Sequence, residues 1–104
     1  MVSVQSIFKD VTPQESSKMI IENVDNSEFV LLDVRTPAEY QSGHLEGAIN
    51  VDYQSDFKAE IEKMNKGKKY LLYCRTGIRS DNAMQIMRYS EFKEVYNMLG
   101  GISL

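Results

Sequence analysis

YLLYCRTGIRSDNAMQIMRYS, residues 70–90, decides how the chain is read. Tyr70 to Tyr73 is a continuous apolar run, the mark of a strand covered on both faces, and Ala83, Ile86, Met87 and Ser90 then recur at helical spacing. The only cysteine of the chain, Cys74, therefore sits where a strand hands over to a helix. A free cysteine titrates near about pH 8.5, and neighbouring cations or a helix N-terminus lower that value by favouring the thiolate. Arg75 and Arg79 supply fixed positive charge, and the helix expected to begin near Ser80 turns its unsatisfied N–H groups back on the loop. Gly77 permits backbone angles that let successive amides face inwards as an anion nest. Most lone cysteines are small buried hydrophobes, but this junction, flanked by two arginines, favours a thiolate nucleophile. Arg79, nearest the helix, is the arginine expected to face the nest.

Upstream, Phe29-Val30-Leu31-Leu32 is a second fully apolar strand, which puts Asp33 at its C-terminal end. In an open parallel sheet that edge is where ligands bind, so Asp33 and Cys74 are expected on one rim. Thr12-Pro13-Gln14-Glu15 and Thr36-Pro37-Ala38-Glu39 both read as capping boxes with proline at the first helical position. The first helix is expected to run towards Val24 with Ile20, Ile21 and Val24 on its apolar stripe. The second is short and ends at Gly43. Ile7, Phe8 and Val11 allow a first strand, Ala48, Ile49 and Val51 a short one, Phe57, Ile61 and Met64 one face of a third helix, and Val95 to Leu99 a last strand. The order is βαβαβαβαβ, an α/β domain with a mainly parallel sheet of about five strands and helices on both faces.

The chain has 104 residues, within the usual range for one compact domain, and residues 1–104 are expected to form one. A formal charge of -3 argues against a broad nucleic-acid or anionic-membrane surface. MVSVQSIFKD lacks the basic start and apolar middle of a secretory signal, and no run is long enough to span a bilayer, so a cytoplasmic address without membrane partner is the expectation. One cysteine and one histidine, His44, make a poor zinc site, and no metal is expected.

LLDVRTPAEYQSGHLEGAINV together with YLLYCRTGIRS resembles the rhodanese family of sulfurtransferases, over a pattern extending from about Phe29 to Gly101. Asp33-Val34-Arg35, Glu39 and Gly43 to Ile49 resemble the family's upstream signature; Cys74-Arg75-Thr76-Gly77-Ile78-Arg79-Ser80 resembles its active-site loop. The resemblance implies that Cys74 takes the outer sulfur of a donor such as thiosulfate as a persulfide and passes it to a thiol, a protein or another nucleophilic acceptor. It also implies that no organic cofactor is needed. Arg75, Thr76, Gly77, Ile78, Arg79 and Ser80 would form the cradle, their amides stabilising the persulfide and the arginines attracting the donor. Asp33 and Arg35 are carried over as supporting residues at the adjacent strand end, with a purely structural ion pair as the competing role. An Arg35–Glu39 pair across the short helix is a further expectation. The resemblance places His44 in a turn that organises the strand end, and because an imidazole satisfied by backbone groups is the commoner case it is not read as a general base.

Two other functions use the same residues. A cysteine phosphatase or arsenate reductase would need the thiolate and the nest, but the phosphatases of this fold carry a loop one residue longer than Cys74 to Ser80. A sulfur-relay carrier or regulatory protein-binding module would share Cys74 and differ only in turnover. The rhodanese resemblance would continue after the Gly-Gly pair with a tryptophan-containing helix that this sequence does not contain, either because the chain is cut short or because it ends early; in the second case an apolar patch near the sheet is expected, with a monomer or weak dimer.

Overall fold

A computed structural model describes residues 5–103, so Met1 to Val4, part of the stretch read for a leader, and Leu104 lie outside the described residues. The element order is β1 (Ile7–Val11), α1 (Pro13–Glu22), β2 (Phe29–Asp33), α2 (Pro37–Ser42), β3 (Ile49–Asn50), α3 (Phe57–Glu62), β4 (Lys69–Tyr73), α4 (Ile78–Tyr89) and β5 (Glu94–Met98). The strands form one sheet in the order β1-β5-β4-β2-β3, and every neighbouring pair is parallel. The alternation of strand and helix requires this, because each return to a parallel neighbour needs a crossover. Among the described residues no helix is long and apolar enough to cross a membrane.

The period-two pleat of β4 sorts the core into two layers. Tyr70, Leu72 and Cys74 join Phe57, Ile61, Ala83, Met84 and Met87 on the face covered by α3 and α4. Leu71 and Tyr73 point the other way, towards Met19, Ile20 and Tyr40 of α1 and α2. Leu71, Leu72, Tyr73 and Cys74 are all fully buried, as a strand covered on both faces demands. Each buried leucine contributes about 1.5–3 kcal/mol relative to exposure, so this register is strongly fixed.

Both capping boxes form: the Thr12 and Thr36 hydroxyls accept from the Glu15 and Glu39 N–H groups, and each glutamate returns a bond to its cap. The apolar stripe of α1 differs from expectation. Ile21 and Val24 are 73% and 78% exposed, Val24 lies beyond the helix, and the inward positions are Ser16, Met19 and Ile20. Helix α4 starts at Ile78, two residues before the expected place, because Gly77 at φ 94° ends the loop in a left-handed conformation and caps the helix with its backbone alone.

Candidate active site

Cys74 is the first residue beyond β4, and the parallel register sets Tyr73 opposite Asp33 at the end of β2. The cysteine and the aspartate thus share the C-terminal rim. The Gly77 N–H points at Cys74 Sγ from 3.1 Å, and the Ser80 N–H and hydroxyl approach it at 3.4 Å each. Burial pushes the thiol up, but hydrogen bonds from the Ser80 hydroxyl and from the Ser80, Thr76 and Gly77 amides outweigh it, leaving Cys74 below the ordinary thiol value. Arg75, Thr76 and Ile78 are exposed around this cradle, while Ser80 is fully buried beneath it.

The arginines divide. Arg75 is exposed and has no ion-pair partner among the described residues. Arg79 is engaged by Glu39 of α2 through two parallel hydrogen bonds of 2.7 and 3.0 Å. The hydrogen-bonded Arg79 guanidinium lowers Glu39 to about 2, and the pair keeps Arg79 charged. The expected Arg35–Glu39 pair does not form, because both side chains have better partners. Arg35 turns back onto Asp33 at 2.7 Å, in an ion pair almost wholly removed from solvent, and also donates to the Gly43 carbonyl.

Asp33 and Arg35 belong to a buried polar knot next to the cradle. Asp33 Oδ2 accepts from the Tyr73 hydroxyl at 2.9 Å, and that hydroxyl accepts from the Leu45 N–H at 3.1 Å. Burial raises Tyr73 to about 12, so it stays a donor to the carboxylate. Asn50 donates to the Asp33 and Arg35 carbonyls, fastening β3 to the end of β2. His44 is exposed, stacks on Tyr40 at 3.7 Å, and has Nδ1 2.8 Å from the Tyr40 carbonyl oxygen. It lies in the turn after α2, where the rhodanese resemblance placed it, held against Tyr40.

Sequence reasoning did not assign Gly101, which holds the loop from behind. At φ 63° it lets the chain pass so close that a Cβ there would collide with the Cys74 carbonyl oxygen and lie 2.5 Å from the Arg75 carbonyl. The next residue, Ile102, donates its N–H to the Cys74 carbonyl at 2.9 Å. The only signal was the Gly-Gly pair after a strand. A larger groove of about 420 Å³ lies away from the cysteine, lined by Ile20, Val24, Phe29 and Leu31.

Among known proteins, the Rhodanese-like domain family matches residues 12–104. The tRNA uridine(34) hydroxylase of Cytophaga hutchinsonii is 33% identical over 109 residues, covering 95% of this chain and 35% of that protein. The tRNA uridine(34) hydroxylase of Photorhabdus laumondii is 35% identical over 91 residues, covering 83% of this chain and 26% of that protein. The chain thus spans about a third or less of the length of these curated relatives. A rhodanese-related protein from Thermoplasma volcanium superposes with a TM-score of 0.69 at 26% identity, covering 95% of this chain and 87% of that one. A rhodanese-like domain protein from Staphylococcus aureus has the same fold, with a TM-score of 0.74 at 22% identity over 89% of this chain and 86% of its own. With five parallel strands, the Cys74 loop at their C-terminal rim, and a match over residues 12–104, the chain belongs to the Rhodanese-like domain family.

Proposed function

We propose that the chain is an enzyme of the sulfurtransferase type in which Cys74 carries sulfur as a persulfide. The observation that carries the reading is the convergence of the Gly77 amide, the Ser80 amide and the Ser80 hydroxyl on one sulfur atom. In the first half-reaction the Cys74 thiolate attacks the outer sulfur of a donor such as thiosulfate. The new Sγ–S bond forms as the donor's S–S bond breaks, and sulfite leaves with that electron pair. The persulfide anion then occupies the loop, where inward amides stabilise it as they do the thiolate. Arg75, exposed beside the loop and without an ion-pair partner among the described residues, draws in the anionic donor. In the second half-reaction an acceptor thiolate removes the outer sulfur and Cys74 leaves as thiolate.

Loop length supports sulfur over phosphate: the phosphatases of this fold carry a loop one residue longer than Cys74 to Ser80, and the shorter cradle fits a single sulfur. Glu39 holds the Arg79 guanidinium at the edge of that cradle through its two terminal nitrogens. The deciding experiment is the intact mass of the protein after incubation with thiosulfate. A gain of one sulfur atom that is absent in Cys74→Ser is expected; no adduct, alongside phosphatase or arsenate reductase turnover, overturns the reading.

A second reading comes from the relatives, which as tRNA uridine(34) hydroxylases are named for a reaction on tRNA. On that reading the chain is the cysteine-bearing unit of a tRNA-modifying activity, and the expectation of no nucleic-acid partner fails. A tRNA mobility shift, competed by unlabelled tRNA and not by duplex DNA, supports it. Free migration of tRNA with persulfide formation intact favours a small-molecule or protein acceptor.

A further inference from the structure

Beside the cysteine loop a second cavity, of about 280 Å³, opens between the first turn of α4 and the C-terminal ends of β1 and β5. Part of its lining is a cross-strand pair. Asp10 and Asn97 are register partners, and Asn97 Nδ2 donates to Asp10 Oδ1 at 3.1 Å. A carboxylate only accepts, so this bond fixes which end of the Asn97 amide is nitrogen. Asn97 is 2% exposed, and its Oδ1 is buried and has no hydrogen-bond partner among the described residues. A buried amide oxygen left without a donor costs free energy that an N–H group entering from outside recovers.

Asp81 and Asn82, at the start of α4, also line the cavity. Its charged lining groups are carboxylates, Asp10 and Asp81, and neither takes part in an ion pair among the described residues. Such a cavity repels oxyanions and suits a small cation rich in N–H groups. Nowhere among the described residues do three histidine, cysteine, aspartate or glutamate side chains gather, so the donor set fits an ammonium group better than a metal ion. Ile78 and Leu99, 69% and 44% exposed, add an apolar lip suited to a short alkyl stem.

We propose that this cavity is a subsite for a protonated amine, and that it holds the ammonium end of a small aminothiol acceptor. Gly77 belongs to both places: it lines the cavity, and its N–H faces Cys74 Sγ. The binding site stands on the cavity alone, whereas the acceptor role rests on the sulfur-transfer reading. The bound acceptor's thiolate attacks the outer sulfur of the Cys74 persulfide. A new S–S bond forms on the acceptor, the Cys74 Sγ–S bond breaks with its electron pair returning to Cys74, and the acceptor departs as a persulfide.

Amide NMR of the full chain, titrated with ethylammonium or tetramethylammonium chloride at equal ionic strength, tests the site. Saturable shifts at Asn82, Asn97 and Gly100 are expected with ethylammonium only, since tetramethylammonium carries the charge without an N–H. Asp81→Asn is expected to weaken that binding about fivefold. Equal responses to the two cations, or no saturable response, overturn the subsite. The acceptor role is read from discharge of preloaded persulfide by cysteamine and by 3-mercaptopropionate. A preference for cysteamine of about tenfold, reduced in Asp81→Asn, is expected. Equal discharge by both thiols overturns the acceptor role. Failure to load any persulfide is the failure of the sulfur-transfer reading instead, and the NMR titration then decides the amine site by itself.

Discussion

Arg79 in the first turn of α4 and Glu39 in α2 lie forty residues apart and meet as a bidentate ion pair, Nη1–Oε1 at 2.7 Å and Nη2–Oε2 at 3.0 Å. The same Glu39 closes the capping box of α2 by accepting from the Thr36 N–H. One carboxylate therefore ties the cysteine loop to a helix that starts at the end of the neighbouring strand.

Glu39→Gln keeps the shape and removes the charge, and a loss of about 1 kcal/mol at neutral pH is expected for this partly exposed pair. Glu39 is lowered to about 2 in the folded chain, against about 4.3 unfolded. A depressed carboxylate stabilises fully above its unfolded value, and the contribution fades as pH falls through the folded one. Urea unfolding of wild type and Glu39→Gln should therefore differ most above about pH 4.3 and converge towards about pH 2. A difference that stays constant over this range would remove the ion pair as its cause.

Ser80→Ala takes one of the hydrogen bonds from Cys74 Sγ and leaves the amides in place. The thiolate midpoint, followed by ultraviolet absorbance against pH, should rise from its depressed value. Persulfide loading below that midpoint should slow while the thermal transition stays within a few degrees of wild type. An unmoved midpoint assigns the depression to the backbone alone.

Gly101→Ala and Gly47→Ala form a matched pair. Both positions have positive φ, +63° and +83°, but a Cβ at Gly47 meets nothing within 4 Å, whereas at Gly101 it lies 2.5 Å from the Arg75 carbonyl. Gly47→Ala should cost only the conformational strain, about 1–2 kcal/mol. Gly101→Ala should cost clearly more and shift the amide resonances of residues 74–77. Equal losses in the two variants would show that the close approach contributes nothing.

Asp33→Asn leaves the Arg35 guanidinium buried without its counter-charge, which typically costs about 3–5 kcal/mol. Asparagine still offers an oxygen to the Tyr73 hydroxyl, so the strand ends stay in register. Denaturant midpoints should fall while the extent of persulfide loading per folded molecule is retained. A stable Asp33→Asn variant that cannot load sulfur would assign Asp33 a role on the donor itself.

Much of the site was readable in the residues because its logic is local. Cys74, Gly77 and Ser80 lie within one loop and its helix start, and the distance from strand end to first helical turn brings the amides to the sulfur. The helix starts two residues before the place its sequence suggests because Gly77 caps through its backbone conformation and leaves no side-chain signature. The stripe of α1 departs from the apolar pattern for a related reason. Ile21 and Val24 are apolar by type, but burial follows helical phase, which favours Ser16, Met19 and Ile20.

Residue order alone carried the alternation of strands and helices, both capped helix starts, and the lone cysteine at the C-terminal rim. Apolar runs, proline and threonine at fixed offsets, and the crossover rule act over a few residues each. Which charges meet depends on how the folded elements pack. A four-residue spacing across the start of α2 offered Arg35 to Glu39, but the parallel sheet brings Arg79 to Glu39 and leaves Arg35 on Asp33. The same packing folds Gly101 behind Cys74 and sets Asp10 against Asn97 from opposite ends of the chain. Coulomb attraction and close contact act through space, so partners distant in sequence become visible only once the chain has folded.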